Sequence, residues 1–225
     1  MNGRILIDCG ATGLGNLRRF GIPFSAVDAL LITHSHDDHF EPEQIVELAA
    51  GREKPLDVFA SPEALAMLAE SETIVRHPLS AGETFFLGDV AVTVLPANHP
   101  THIPGETAFH FCFETPGGNL LYALDGAWML KAAVWMVKHL RFDWVVLDCT
   151  MADAGDWRIF EHTDVDMAVH MVKSLRNLGI VDGETRIVLD HLARTLWPET
   201  EEERRQKIAG TGFELAFDGM ELNRE

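Results

Sequence analysis

The chain has 225 residues, and 47% of them are hydrophobic, which is enough apolar material for a sizeable core. Its formal charge of −17 repels polyanions, and the sequence has no run of lysine and arginine that would neutralise a phosphate backbone. We therefore expect no long nucleic acid as a partner. Because we find no repeat, linker or membrane-length apolar segment, the simplest prediction is one domain over residues 1–225 with no membrane span.

The three cysteines, Cys9, Cys112 and Cys149, predict buried free thiols and no disulfide framework. They are odd in number, widely spaced, and each lies in or beside an apolar run. The N-terminal residues MNGRILIDCG lack the charged region and the long apolar stretch of a signal peptide. Together these features indicate a reducing, cytoplasmic location.

Short runs rich in branched and aromatic residues recur along the chain and predict β-strands. In chain order they are RILID, ALLIT, LDVFA, TFFLG, VAVTVL, TAFHFCFE, NLLYAL, WVVLDC, RIVLD and FELAF. Gly117 and Gly118 fall between two of these runs and predict a hairpin turn.

Helices are predicted between many of these strands. Pro42 suits the first position of one helix, and Ser61 suits the N-cap of the next. An amphipathic helix is predicted over residues 127–140. A further helix is predicted to begin at Thr163, which opens a Thr-x-x-Asp capping box, and to stop near Gly179. This mixture of strands and helices predicts a layered α/β domain.

The segment HSHDDH, residues 34–39, concentrates histidine and aspartate at the end of a predicted strand. Imidazole and carboxylate are costly to bury without partners, so such a cluster predicts metal ions. His34 and His36 are two residues apart and point to the same side of an extended segment, whereas the adjacent Asp38 and His39 diverge. One loop can therefore serve two cations, but a two-metal site needs further ligands.

Three residues farther along the chain supply the same chemistry after predicted strands. His99 follows VAVTVLPAN, Asp125 follows NLLYAL, and His191 follows RIVLD. The order His-x-His-x-Asp-His, then His, Asp and His, resembles the metallo-β-lactamase superfamily of metal-dependent hydrolases over about residues 4–222. The resemblance implies an α/β fold that is a four-layer αββα sandwich, with the metals at one edge of the two sheets.

The resemblance also implies which residues bind two divalent metal ions. The ligands it implies are His34, His36 and His99 for one ion, Asp38, His39 and His191 for the other, and Asp125 as the bridge. An aspartate bridge is similar to glyoxalase II, lactonases and phosphodiesterases, whereas true β-lactamases usually carry cysteine there, so antibiotic hydrolysis is not expected. Zinc or manganese is the predicted metal, and iron is a further candidate.

Some assignments leave an alternative open. His102 competes with His99 as a ligand, but His99 is favoured because it comes directly off its strand. Asp8 and Asp148 are interpreted as groups that orient ligand imidazoles, with ordinary loop capping as the alternative. Asp37 is interpreted as a solvent-facing residue or a group that supports the ligands. The remaining histidines have no converging partners and are interpreted as core or surface residues: His77, His110, His139 and His170.

His162, in the segment EHTDVDM, lies just before a predicted helix N-terminus, where backbone N–H groups favour an anion. The segment resembles the His-Ser/Thr element of the tRNase Z and cyclic-phosphate phosphodiesterase branches. There the histidine acts as general acid for the leaving alkoxide or stabilises the transition state. The alternative is a histidine beside a helix cap with no chemical role.

These features predict a metal-dependent hydrolase that cleaves a small or cyclic phosphodiester. Two divalent ions generate hydroxide from water at neutral pH, so no nucleophilic side chain is required. The predicted catalytic residues are Asp38, Asp125 and His162. The C-terminal FELAFDGMEL also resembles the ending of small phosphodiesterases. Arg158 and Arg194 are candidate phosphate contacts, with a solvated loop position as the alternative for each.

Two other functions remain open. The first is a glyoxalase II-like thioesterase or a lactonase, and the second is a non-catalytic binding module that uses metal for stability. One departure from the superfamily also matters for assembly. Its members usually begin with a strand that pairs with the one predicted here as RILID, so the short start predicts an unpaired edge strand, with either a homodimer or a modified first sheet as the consequence.

Overall fold

The structure, a computed structural model, describes residues 4–223. The chain divides into two compact units. The first comprises Met1–Glu83 with Pro100–Phe109, and the second comprises Thr84–His99 with His110–Glu225. The assignment of residues 1–225 to a single domain stays a prediction.

The first unit is built on a four-stranded parallel sheet in the order β1-β2-β3-β4. Its elements are β1 (Ile5–Ile7), α1 (Gly13–Arg19), β2 (Ala29–Leu31), α2 (Pro42–Ala50), β3 (Leu56–Ala60), α3 (Pro62–Met67) and β4 (Ile74–Pro78). Buried side chains of the strands and helices form one apolar core, which includes Leu30, Ile45, Leu48 and Val58. Because all four strands are parallel, their carboxyl ends lie at the same edge of the sheet.

The second unit is built on a seven-stranded sheet in the order β11-β10-β9-β8-β7-β6-β5. Its elements are β5 (Thr84–Leu87), β6 (Val90–Pro96), β7 (Phe109–Thr115), β8 (Gly118–Ala123), α4 (Lys131–Val137), β9 (Trp144–Asp148), α5 (Val165–Asn177), β10 (Arg186–Asp190), α6 (Glu201–Lys207) and β11 (Phe213–Leu215). Strands β8 to β11 are parallel, whereas β5 pairs antiparallel with β6 and β7 with β8. The carboxyl ends of β8, β9 and β10 therefore meet at one edge.

All ten predicted strands are present, and the hairpin between β7 and β8 is confirmed, with Thr115 paired to Gly118. The prediction missed three elements: β4, α1 and α6. The sequence of β4, IVRHP, contains a charged residue, a histidine and a proline, which weaken a strand pattern. Helix α6, EEERRQK, has no buried residue and therefore shows no apolar periodicity.

Two helix predictions need correction. Helix α4 covers 131–137 and not 127–140, because the backbone carbonyls of Gly126 and Ala127 accept hydrogen bonds from the Thr163 hydroxyl at 2.8 and 3.1 Å. Thr163 is thus engaged elsewhere and does not cap α5. The cap is Asp164, whose carboxylate accepts a hydrogen bond from the Met167 N–H at 2.7 Å.

The other local predictions agree with the structure. Ser61 caps α3 by accepting a hydrogen bond from the Ala64 N–H at 3.0 Å, and Gly179 follows α5 with a φ of +74°. The three cysteines are free and buried, as predicted. Strand β1 lies at an edge of the first sheet. Among residues 4–223, no helix has the length and apolar character needed to cross a bilayer.

Candidate metal centre

Backbone strain marks three of the residues singled out in the sequence. Asp8, Asp125 and His191 have φ values of 61°, 53° and 60°, and no other non-glycine residue in the described part of the chain has a positive φ. Asp8 follows β1 directly, His191 follows β10 directly, and Asp125 lies two residues beyond β8. A left-handed conformation costs a non-glycine residue roughly 1 kcal/mol or more, and such residues cluster at functional sites.

In the first unit, the HSHDDH segment forms a turn beyond the carboxyl end of β2. The N–H groups of His39 and Phe40 both bond to the carbonyl of His36, at 2.9 and 2.8 Å, which folds the segment back on itself. His34 and His39 are buried, His36 is half-buried, and Asp38 is exposed. The turn brings His34 Nε2 within 2.8 Å of His36 Nδ1, so these two rings converge as the sequence predicts.

Asp8 holds the histidines of this turn through its carboxylate. Oδ2 lies 2.7 Å from Nδ1 of His39, and the Thr33 hydroxyl bonds to Oδ1 and Oδ2 at 3.0 and 2.9 Å. The same hydroxyl lies 3.0 Å from Nδ1 of His34. A partner at Nδ1 fixes the orientation of an imidazole and leaves its Nε2 for a metal ion. His39 Nε2 lies 3.5 Å from the carboxylate of Asp38.

In the second unit, the buried side chain of Asp125 lies between two histidines. One carboxylate oxygen is 3.6 Å from His99 Nε2, and the other is 3.4 Å from His191 Nε2. A potential ligand atom of His162 joins those of Asp125 and His191 in a group whose atoms all lie within 4.8 Å of one another. Each oxygen of the one carboxylate thus faces a different imidazole.

Asp148 orients the histidines of the second unit. It is 1% exposed and lies at the end of β9. Its Oδ2 is 2.7 Å from His162 Nδ1, and its Oδ1 accepts a 2.8 Å hydrogen bond from the Thr150 hydroxyl. That hydroxyl lies 2.8 Å from Nδ1 of His191. His99 is oriented separately, because its Nδ1 bonds to the Glu161 carbonyl at 2.9 Å.

This donor set fits divalent metal ions. In both units the Nδ1 atoms of His39, His99 and His191 have oxygen partners, while their Nε2 atoms lie near a carboxylate. Metal-binding histidines characteristically show this division between the two ring nitrogens. Burial also lowers the pKa of His99, which keeps the imidazole neutral, and neutral imidazole is the form that binds metal.

His110 is a supporting residue that the sequence interpretation missed. It is 3% exposed, its Nε2 donates to the backbone carbonyl of Asp125 at 3.3 Å, and burial lowers its pKa to about 4. A Cβ on Gly126 would lie 3.1 Å from the same nitrogen, so glycine leaves space for the ring. The residue is a single histidine within the β7 run, and no local pattern distinguishes it from a core histidine.

The remaining predicted residues make fewer of the contacts described above. The ring of His102 lies 4.2 Å from that of His36 in the first unit, whereas His99 contacts the Asp125 cluster of the second. Arg158 lies in a 3-10 turn formed by Trp157–Phe160 and bonds to Asp156, which caps that turn, at 2.8 Å. Arg194 is exposed. Asp37 is also exposed.

Comparisons with known proteins concern the family and the fold of the chain. The model of the beta-lactamase superfamily domain matches residues 3–192. Ribonuclease Z of Methanopyrus kandleri is 29% identical over 118 residues, which cover 50% of this chain and 40% of that protein. The match thus spans less than half of that relative.

Two solved structures share the fold over nearly the whole chain. YhfI from Bacillus subtilis, described as a metallo-beta-lactamase fold protein, superposes with a TM-score of 0.76 at 18% identity and covers 98% of this chain and 87% of its own. Zn2+-bound PqqB from Methylobacterium extorquens gives 0.69 at 16% identity, with 99% and 84% covered.

The chain therefore belongs to the metallo-β-lactamase superfamily. The fold class predicted from the ligand order, the α/β metallo-β-lactamase fold, is confirmed. Family membership together with the histidine and aspartate clusters indicates a metal-dependent hydrolase.

Proposed function

We propose that the protein is a dinuclear phosphodiesterase that cleaves a small or cyclic phosphodiester. The observation that carries the proposal is the position of His162. Its Nδ1 is 2.7 Å from the buried Asp148 carboxylate, and a ring nitrogen groups with Asp125 and His191. Similarity to a ribonuclease Z supports phosphodiester chemistry in particular.

The proposed ligands are those of the sequence motif. Following the order of the superfamily motif, they are His34, His36 and His99 for one ion, Asp38, His39 and His191 for the other, and Asp125 as the bridge. The two carboxylate oxygens of Asp125, each facing a different imidazole, support the bridging role. Zinc or manganese is the proposed metal, since imidazole and carboxylate suit both and PqqB binds Zn2+ on the same fold, and iron is the next candidate.

Different residues of the chain have different roles in the proposed reaction. Divalent cations held by these residues would supply an activated water and would neutralise charge on the phosphoryl group. Asp148 holds His162 through Nδ1, so Nε2 is the ring atom left to donate a proton to the departing alkoxide. The Glu161 carbonyl and the Thr150 hydroxyl hold His99 and His191 during this transfer. The burial of Asp125 and Asp148 keeps water from competing for these hydrogen bonds.

Elemental analysis and hydrolysis of bis-p-nitrophenyl phosphate would test the proposal. The wild type, Asp125→Ala and His162→Ala would be compared under added zinc or manganese. The wild type is expected to bind two ions per chain. Asp125→Ala should lose metal and activity together. His162→Ala should keep both ions and lose about a hundredfold or more in turnover, the range expected for a general acid.

The other outcomes identify the alternatives. Two bound ions with no phosphodiester turnover, but with efficient cleavage of a thioester or lactone, would replace the proposal with a glyoxalase II-like or lactonase activity. A metal-loaded protein inactive on all three substrate classes would indicate a binding module. Full activity in His162→Ala would remove that residue from the mechanism.

The setting of the enzyme is part of the proposal. Three buried free thiols support a reducing cytoplasm. The edge position of β1 supports pairing with a second copy of the chain, which sedimentation velocity would detect as a homodimer. The net charge of −17 supports a small-molecule substrate over a long nucleic acid.

A further inference from the structure

The segment Pro100–Phe109 belongs to the first unit and lies against its histidine turn. The Phe109 N–H donates to the carbonyl of Thr33 at 2.8 Å, directly before the turn. The ring of His102 lies 4.2 Å from that of His36. Glu106 makes two further polar contacts, with residues that follow β2 and β3.

Glu106 bridges two buried serine hydroxyls with its two carboxylate oxygens. Oε2 accepts a 2.5 Å hydrogen bond from Ser35, and Oε1 accepts a 3.0 Å hydrogen bond from Ser61. Each serine is 4% exposed. Ser35 lies between His34 and His36, whereas Ser61 directly follows β3 and caps α3.

Hydrogen bonds to a carboxylate are roughly twice as strong as those between neutral groups. Removing this acceptor would leave the Ser35 hydroxyl buried without its partner, at a cost of about 1–3 kcal/mol, unless the turn moves. Ser61 is less dependent on it, because its oxygen is also fixed by the Ala64 N–H at 3.0 Å. The effect of Glu106 should therefore fall mainly on the backbone that carries the two histidines.

We propose that Glu106 is a positioning residue of the metal centre, which sets the orientation of His34 and His36 by holding Ser35. The inference rests on the proposed function only in that it takes these histidines as metal ligands. Glu106 bonds to Ser35 and Ser61. It acts through the serine between the two histidines, as outer carboxylates commonly do around metal sites.

The test compares zinc affinity, by competition with a chromogenic chelator, and the free energy of unfolding of the metal-free protein. The variants are Glu106→Ala, Glu106→Gln, Ser35→Ala, Ser61→Ala and the double variant Glu106→Ala with Ser35→Ala. The matched control is Glu203→Ala, which removes another glutamate that accepts from a hydroxyl, that of Thr200 in the exposed first turn of α6.

Glu106→Ala should weaken zinc binding about 10- to 100-fold, the usual effect of removing a group that orients a metal ligand. Ser35→Ala should weaken it similarly, and the double variant should be no worse than either single one because both disrupt one interaction. Glu106→Gln should recover most of the affinity, since its amide can bond to both hydroxyls. Ser61→Ala should lower stability and leave zinc affinity within about threefold.

Zinc affinity of Glu106→Ala equal to that of Glu203→Ala would overturn the inference and leave Glu106 a purely structural link between strand ends. Equal losses in Ser35→Ala and Ser61→Ala would do the same. Failure of the proposed function looks different, because a wild type that binds zinc but cleaves no phosphodiester leaves these affinity ratios intact. A wild type that binds no metal would overturn both.

Discussion

At the scale of single residues, the candidate centre depends on how each imidazole is held. The chain supplies carboxylates, hydroxyls and carbonyls that bind Nδ1, and Asp148 alone serves both His162 and, through Thr150, His191. Because one carboxylate orients two histidines, removing it should change the orientation of more than one imidazole ring.

Two exposed aromatic residues lie within the five positions before His162. Trp157 is 62% exposed and Phe160 is 80% exposed, in a 3-10 turn whose Arg158 carbonyl accepts from the His162 N–H at 2.7 Å. Large exposed apolar side chains often mark binding surfaces. We expect these two to contact the organic part of the substrate.

Replacing Trp157 and Phe160 together by alanine should therefore raise KM for bis-p-nitrophenyl phosphate about tenfold or more and change kcat little, since stacking of aromatic rings contributes roughly 1–3 kcal/mol. Steady-state kinetics provides the measurement. Phe86→Ala is the control, because Phe86 is 73% exposed on β5 and belongs to neither segment of the candidate centre. An equal effect of the control would show that surface aromatics in general alter the kinetics.

At the scale of elements, the position of His162 depends on the start of α5. The Thr163 hydroxyl bonds to the carbonyls of Gly126 and Ala127, next to Asp125, and Asp164 caps the helix. The first turn of α5 therefore links the segment that carries His162 to the segment that carries Asp125, within the second unit.

Asp164→Ala should lower the free energy of unfolding by about 1 kcal/mol, the usual value of an N-cap. Asp166→Ala, at an exposed position in the first turn of the same helix, should cost about 0.5 kcal/mol or less. Denaturant titration of both variants gives the comparison. A larger loss in Asp166→Ala would instead favour the Thr163 capping box that the sequence pattern predicts.

The α5 start also shows what sequence can predict about an element. The helix itself is evident from its apolar periodicity and from Gly179 at its end. Its cap was misplaced by one residue because Thr163 and Asp164 are both good capping residues, and only the distant carbonyls of Gly126 and Ala127 decide between them. The bonds that make Asp148 and Glu106 important have the same long-range character.

At the scale of the whole molecule, the reactivity of the cysteine thiols shows whether the apolar cores of both units are folded. Cys9 belongs to the apolar core of the first unit, and Cys112 and Cys149 belong to that of the second. Burial is the main cause that raises the pKa of Cys9 and of Cys112 to about 12, and it raises the pKa of Cys149 as well.

We expect no reaction of the native protein with Ellman's reagent at pH 7.5, and reaction of three thiols after unfolding in guanidinium. Because the pKa of each buried thiol is higher in the folded protein than its unfolded value of about 8.5, ionisation of the thiols does not change the free energy of unfolding below pH 8.5. Above pH 8.5 the free energy of unfolding should fall by up to about 1.4 kcal/mol per thiol for each pH unit.

The control for this pH dependence is Cys112→Ala, which should unfold more easily at neutral pH but lose less stability between pH 8.5 and 10. Unfolding free energies across this range provide the measurement. Rapid labelling of a native thiol at pH 7.5 would contradict the burial on which the prediction depends.

The sequence by itself determined the family, the fold class and the order of the candidate ligands. These features are local, because strand ends are visible in short apolar runs and ligand chemistry is a property of residue type. Only the tertiary structure decided how the candidate centre is supported: Asp148 on His162, His110 on the Asp125 backbone, and Glu106 on Ser35, 71 residues away. A hydrogen bond between distant segments depends on how the chain folds, and a single sequence carries no periodic signal for it.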